Sequence, residues 1–300
     1  MATPRGSAAE WAWQRQSVWS KTAGRLKSGP QRARQWRLGL TVMGAGLALA
    51  GSQLQPVHQP AGITMAVVAA VVMAAVGVLG GRHSVHQVRQ WTRARSVSEA
   101  IKSEVFLFLT STGDYDTDDR EQRLDAEVQR LEREAGDLYR YTDEVRATVR
   151  PLPAVCDVDT YLDLRVRRSQ LEHYYEPRAR LMRRRVRMFK AIEVTLALVA
   201  AGLAAAASVS PNVGAWAAVA TTAAGTVAAH AAAERYELLW IEYSRTAAEL
   251  RRLADRRTAA NAKPLSPTEL IAECENVISV QNQAWMAKWG EENNPNPGSN

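Results

Sequence analysis

Two long stretches, residues 38–81 and 194–233, contain no Asp, Glu, Lys or Arg. Each is interrupted in the middle. Gln55-Pro56-Val57-His58-Gln59-Pro60 breaks the first, and Ser210-Pro211-Asn212 breaks the second. Each stretch thus divides into two apolar segments close to the roughly 17–25 residues that cross a bilayer. The pattern predicts four spans, about 38–54, 63–80, 191–209 and 213–233, paired as two hairpins. Gly44 with Ala48, Gly46 with Ala50 and Gly77 with Gly81 repeat at four-residue spacing. Small residues so placed let helices approach closely in lipid.

Outside these stretches the apolar period is helical, and no alternating strand pattern of useful length occurs. Leu124, Val128, Leu131, Ala135 and Leu138 follow 4,3,4,3 spacing, as do Tyr236, Trp240, Tyr243, Ala247, Leu250 and Ala254. This is the period of a coiled-coil seam. The two seams are expected to pack on each other as a cytoplasmic bundle. Ser266-Pro267-Thr268-Glu269 carries the signals of a capped helix start, with serine at the cap, proline at the first position and glutamate at the third. Ile271, Cys274, Ile278, Gln281 and Trp285 form that last helix's face. Gly29-Pro30 closes an N-terminal piece bearing Trp11, Val18 and Trp19, which either lies at the membrane interface or packs on other helices. Pro177 should kink a helix opening near Asp159. The tail 293–300 is expected to be disordered.

The predicted fold is therefore an all-α membrane protein, two transmembrane hairpins carrying long cytoplasmic helices. Residues 1–150 form a first unit with cytoplasmic helices over 82–145. Residues 151–300 form a second with helices over 159–190, 234–262 and 266–289. The halves divide at Pro151-Leu152-Pro153.

Charge sharpens the topology. The chain has 38 Lys and Arg against 31 Asp and Glu, net +7, and a mean hydropathy of -0.27. That average hides segregation of apolar from charged residues. Arginines flank the hairpins while both connecting turns are uncharged, so the positive-inside rule places both termini in the cytoplasm. The alternative, an alanine-rich buried core of a soluble bundle, explains neither the repeat of the pattern nor this asymmetry. Residues 1–36 hold several tryptophans, which a short basic leader would not, so cleavage as a signal peptide is not expected.

Candidate chemistry is sparse. Cys156 and Cys274 are far apart and suggest neither a disulfide framework nor a metal cluster. His83 and His86 form an i, i+3 pair with no third ligand at metal spacing. No nucleophile has a partner nearby, and no Gly-rich phosphate loop is visible. Neither an enzyme nor a cofactor nor a nucleic-acid partner is expected. Thr222, Thr226 and His230 are spaced four apart on one face of the fourth span. Either the hydroxyls bond their own helix, or the stripe lines an oligomeric pore that His230 makes pH-sensitive. Arg183, Arg184, Arg185 and Arg187 precede the third span. They read either as a topology signal touching lipid headgroups or as a dock for an acidic partner or nucleotide.

The second half resembles the SLATT family, two-transmembrane effector domains that associate with SMODS and SLOG domains. Tyr161, Arg165, Gln170, Tyr174-Tyr175 and Ala179 carry the likeness before the hairpin. Tyr236, Trp240, Tyr243 and Leu250 carry it after, followed by Glu273, Val277, Ile278 and Gln283-Ala284-Trp285. Trp91, Arg93, Glu99-Ala100, Lys102, Glu104 and Tyr115 make the first half look like a second, diverged copy. Gln281 and Asn282 stand where the family commonly has an acidic residue. The resemblance implies a pore-forming or membrane-perturbing effector of a bacterial defence system acting by cell suicide, multi-pass in the cell membrane. It also implies that sensing resides in a separate protein, such as a nucleotide-signalling one. A homo-oligomer is expected, and a non-conducting membrane scaffold is the competing function.

Overall fold

The computed structural model describes residues 7–82, 85–209, 211–257 and 265–291. Side chains at 28–35, 37, 79–82, 85–88, 211–212 and 281–291 lie outside the description. All regular structure among the described residues is helical: α1 (Ala8–Leu54), α2 (Gln59–Arg82), α3 (Val85–Leu109), α4 (Arg120–Glu134), α5 (Val158–Tyr161), a π-helical stretch (Leu162–Tyr175), α6 (Glu176–Ala206), α7 (Pro211–Glu234), α8 (Tyr236–Arg256) and α9 (Pro267–Glu291). The chain forms two compact units. Unit 1 gathers 1–28, 85–177 and 242–300, and unit 2 gathers 29–84 and 178–241, so each draws on both halves of the sequence.

In unit 1, α3 is the central element, with α4 and α9 packed on it. Ile101 and Val105 of α3 are fully buried, and Phe106 nearly so. The N-terminal helix is packed, not interfacial. Trp13 meets Phe106 edge-on at 6.2 Å and donates its indole N–H to the Pro151 carbonyl at 3.1 Å. Trp19 is wholly buried and donates to Glu132 at 2.8 Å, which satisfies the polar end of a large apolar ring. Leu124, Val128, Ala135 and Leu138 are buried as the seam period requires, but α4 ends at Glu134 and a 3-10 turn, Gly136–Tyr141, carries the rest. The helix expected as far as 145 therefore stops early. α4 packs on α3. Tyr243, Ala247, Leu250 and Ala254 of α8 are buried, and Tyr243 packs against Tyr174 and Tyr175 at ring distances of 6.0 and 6.4 Å.

Caps set the ends. Ser266 Oγ accepts the Glu269 amide at 3.2 Å, and Glu269 accepts the Ser266 amide at 2.8 Å, the reciprocal arrangement read from sequence. A second box, Asp157 with Thr160, starts α5. α3 ends through Ser111 at φ 50 and Gly113 at φ 67, with the Thr112 amide bonding back to the Leu107 carbonyl at 2.9 Å.

In unit 2, α2 lies antiparallel to the second part of α1. A Cβ on Gly62 would stand 2.6 Å from the Gln55 backbone, and one on Gly51 3.0 Å from the Gly62 carbonyl oxygen. Gly44 likewise faces Met73 at 2.8 Å, whereas Gly46 and Gly77 face open space. Close packing thus uses Gly44, Gly51 and Gly62, a set only partly matching the small-residue pairs. α6 and α7 form the other hairpin. Gly214 approaches Ala207 at one end, and Phe189 meets His230 at the other, 5.3 Å between centroids.

Three sequence expectations change. Gly29-Pro30 does not end a helix: α1 runs through it, because a proline removes one ladder bond from a helix already anchored on both sides. One boundary between the units falls there instead, at 28/29, and another falls beside the expected kink, at 177/178. The helix expected to open at 234 starts at Tyr236 instead, since Arg235 at φ 51 interrupts the chain after α7. Most important, among the described residues two helices, not four, are long and apolar enough to cross a membrane: Gln59–Val78, and the continuous Val158–Ala206. Leu38–Leu54 is apolar but shorter. α7 is not among the two, as Thr221, Thr222, Thr226 and His230 dilute its alanines.

Candidate functional site

The interior of unit 1 holds an ionic centre. Arg165, on the π-helical stretch, is completely buried and grips Glu275 of α9 with two bonds, Nε and Nη2, each 2.8 Å. The Tyr161 hydroxyl donates to the same carboxylate at 2.8 Å. Glu99 of α3 approaches the third guanidinium nitrogen, Nη1, at 3.9 Å, too far for a hydrogen bond, and Nη1 has no hydrogen-bond partner. Glu99 pairs with Arg95 at 3.2 Å, and Lys102 donates to Ser169 at 3.1 Å. Phe106 lies 5.0 Å from the guanidinium. A forked, planar cation suits this bidentate, ring-flanked position as an ammonium would not.

Burial works against every charge here, and the partners decide the outcome. Burial alone would raise the Glu275 carboxyl, but Arg165 and the bonds from Tyr161 and Ser103 hold it below the usual range. Glu99 is likewise held low, by Lys102, Arg95 and Arg165 against burial. Burial and the Arg165 charge push the Lys102 ammonium down to about 8. Burial and Glu275 push the Cys274 thiol up to about 12, so this cysteine is a protonated packing residue. Beside the centre, Tyr115 donates to Glu104 at 2.6 Å.

Unit 2 holds the residues singled out from sequence. Thr222 and Thr226 bond back to their own helix, to the Ala218 and Thr222 carbonyls at 2.9 and 2.8 Å. His230 belongs to an aromatic cluster in which Phe189 stacks on Tyr236 at 5.3 Å. Arg183 lies over the Trp240 ring at 5.7 Å, and Arg185 over Tyr236 at 5.3 Å. Arg184 and Arg187 are exposed. No group of three or more His, Cys, Asp and Glu able to hold a metal occurs among the described residues. The expected pair His83 and His86, the seam residue Trp285 and the tail 293–300 lie outside the described residues or side chains.

The described residues thus form an all-helical protein with two helices long and apolar enough to cross a membrane. Residues 161–285 match the family described as SMODS and SLOG-associating 2TM effector domain 1, the SLATT family that the second half resembles in sequence. Residues 17–123 match a family model described as a protein of unknown function (DUF4231), so two tandem SLATT copies are not shown. No curated protein and no solved structure matches the chain.

Of the residues that carried the resemblance, Tyr161, Arg165, Glu99 and Lys102 meet at the ionic centre. Sequence reasoning missed Glu275, which sits one residue after Cys274 on the face assigned to packing. The available signal was arithmetic: a buried arginine requires a carboxylate, and Glu275 is the acid on that face.

Proposed function

We propose that the chain is an integral-membrane effector of a bacterial conflict system. It inserts both hairpins, the shorter Leu38–Leu54 segment and α7 completing them, and acts as a homo-oligomeric pore or membrane-perturbing body that kills its own cell. Both termini stay in the cytoplasm of a multi-pass cell-membrane protein, and a separate sensor or nucleotide-signalling protein supplies the trigger. No catalysis, cofactor or nucleic acid enters this reading. One observation carries it: in the two candidate helices only 11% and 6% of the most apolar window is buried. An apolar helix left bare is costly in water, whereas lipid accommodates it. The family's description as a 2TM effector domain supports the same reading.

The decisive measurement is single-channel current from purified chain in liposomes. Conductance is expected, reduced in Thr226→Leu, and losing its pH dependence in His230→Leu if α7 lines the lumen. Full insertion without current would leave the competing function, a membrane-anchored scaffold whose packed helical unit binds partners. Topology is read by labelling. His58→Cys should react with an impermeant thiol reagent from outside, and native Cys156, which is exposed, only from inside.

A further inference from the structure

We infer that the arginine cluster at the start of α6 is a binding site for anionic phospholipid headgroups, a deepening that rests on the membrane reading above. Unit 2 contains twelve Lys and Arg and three Asp and Glu, whereas unit 1 holds the remaining 26 and 28. The whole positive excess of the chain therefore belongs to the unit that carries the apolar hairpins. Its densest part is Arg183, Arg184, Arg185 and Arg187, and among the described residues none of the four meets a carboxylate. Arg183 and Arg185 are instead laid against Trp240 and Tyr236. A guanidinium near a ring face spends none of its N–H groups on a hydrogen bond there, and its forked edge matches the paired oxygens of a phosphate. Arg187 lies about 10 Å along the helix axis from the first residue of the charge-free stretch, at roughly 1.5 Å per residue. The charge is thus at headgroup depth when the hairpin is inserted, and the two rings beside it are of the kind that concentrate at that depth. The ligand that fits is the phosphate of an anionic lipid such as phosphatidylglycerol.

The test uses the full-length chain reconstituted in mixed phosphatidylcholine and phosphatidylglycerol vesicles, gently extracted, with retained lipid counted by mass spectrometry. Wild type should retain phosphatidylglycerol preferentially. Arg183→Gln/Arg184→Gln/Arg187→Gln should reduce that preference about fivefold for each charge removed. The matching triple lysine variant should fall between the two, since lysine keeps charge but loses the flat fork. Equal retention of both lipids by wild type, or a preference that survives the glutamine variant, overturns the proposal. A variant that fails to insert is replaced by a titration of wild type with short-chain phosphatidylglycerol, read as a fluorescence change absent in Trp240→Phe. No such change overturns the proposal as well. Binding of polyglutamate in place of the lipid, lost in the glutamine variant, assigns the arginines to an acidic partner instead. Flotation with neutral vesicles separates the two readings: a chain that does not float sinks the membrane reading itself.

Discussion

Unit 1 and unit 2 solve the problem of charge in opposite ways. Unit 1 takes charged groups inside and cancels them: Arg165 is buried against Glu275, and Glu132 accepts both Arg15, at 2.6 Å, and Trp19. Unit 2 turns its apolar residues outward, Val67, Val71, Leu198 and Val199 among them, and sets Arg183 and Arg185 over aromatic rings. A unit that is neutralised within itself can be complete in water. A unit that is bare and cationic is complete only against something apolar bounded by anions. The difference places specificity of folding in unit 1 and contact with the surroundings in unit 2.

The strongest way to break this comparison is at the ionic centre. Arg165→Met leaves Glu275 as an uncompensated buried charge, which typically costs about 3–5 kcal/mol. Chemical denaturation of the chain in detergent should show that loss for the packed unit. Arg165→Met/Glu275→Leu should recover most of it, since apolar replacement of a whole buried pair is often neutral. If both variants melt alike and both low, packing around the centre matters more than its charges. Leu250→Asp, at a fully buried seam position, should cost several kcal/mol for the same reason, an unpaired buried charge. Unchanged melting would deny the seam its burial.

In unit 2 the sensitive point is steric. Gly62→Leu drives a side chain into the Gln55 backbone, and overpacking of this kind costs about 1–3 kcal/mol. The effect should appear as opening of the first hairpin, read by crosslinking of cysteines placed at 44 and 73. It should leave the near-ultraviolet signal of the buried tryptophans in unit 1 unchanged.

Titration sharpens the contrast further, because the buried ionic centre belongs to unit 1. Glu99 and Glu275 have folded values held below their unfolded ones, so their stabilisation is present above about pH 4.5 and is lost as pH falls through the folded values. Lys102 has the opposite history. Its folded value of about 8, down from 10.5, means a buried ammonium that costs stability below pH 8, a cost relieved as pH rises toward 10.5. Wild type should therefore gain in melting temperature relative to Lys102→Met between pH 7 and pH 10. A loss over that interval would mean that Lys102 is stabilised, not penalised, by its neighbours.

Much of this was legible in the sequence, and for physical reasons. The charge-free stretches, the turn at residues 55–58, the Ser266 capping box and the Tyr243–Leu250 seam are local patterns, each readable within a few turns of chain. What escaped was non-local. The pairing of Arg165 with Glu275 joins residues 110 positions apart. The packing of Trp13 on Phe106 likewise depends on which helices become neighbours. Whether Gly29-Pro30 ends a helix depends on how well the flanking turns are anchored, which propensity does not record. Only two of the four expected spans stand out among the described residues, because Leu38–Leu54 is short and alanine, abundant in α7, avoids charge without being strongly apolar.

The smallest effect predicted is the most direct comparison of the two units, one arginine against another. Arg184 is exposed, and among the described residues no ion pair or ring contact involves it. Arg184→Gln should therefore shift the melting temperature in neutral detergent by less than about 2 °C, as surface substitutions away from packed features do. Arg165→Met should shift it by many degrees under the same conditions. If Arg184 proved as costly as Arg165 in the absence of any lipid, its charge would be serving the fold of unit 2 itself. The distinction between a unit that neutralises its charges within and one that presents them outward would then fail at its simplest point.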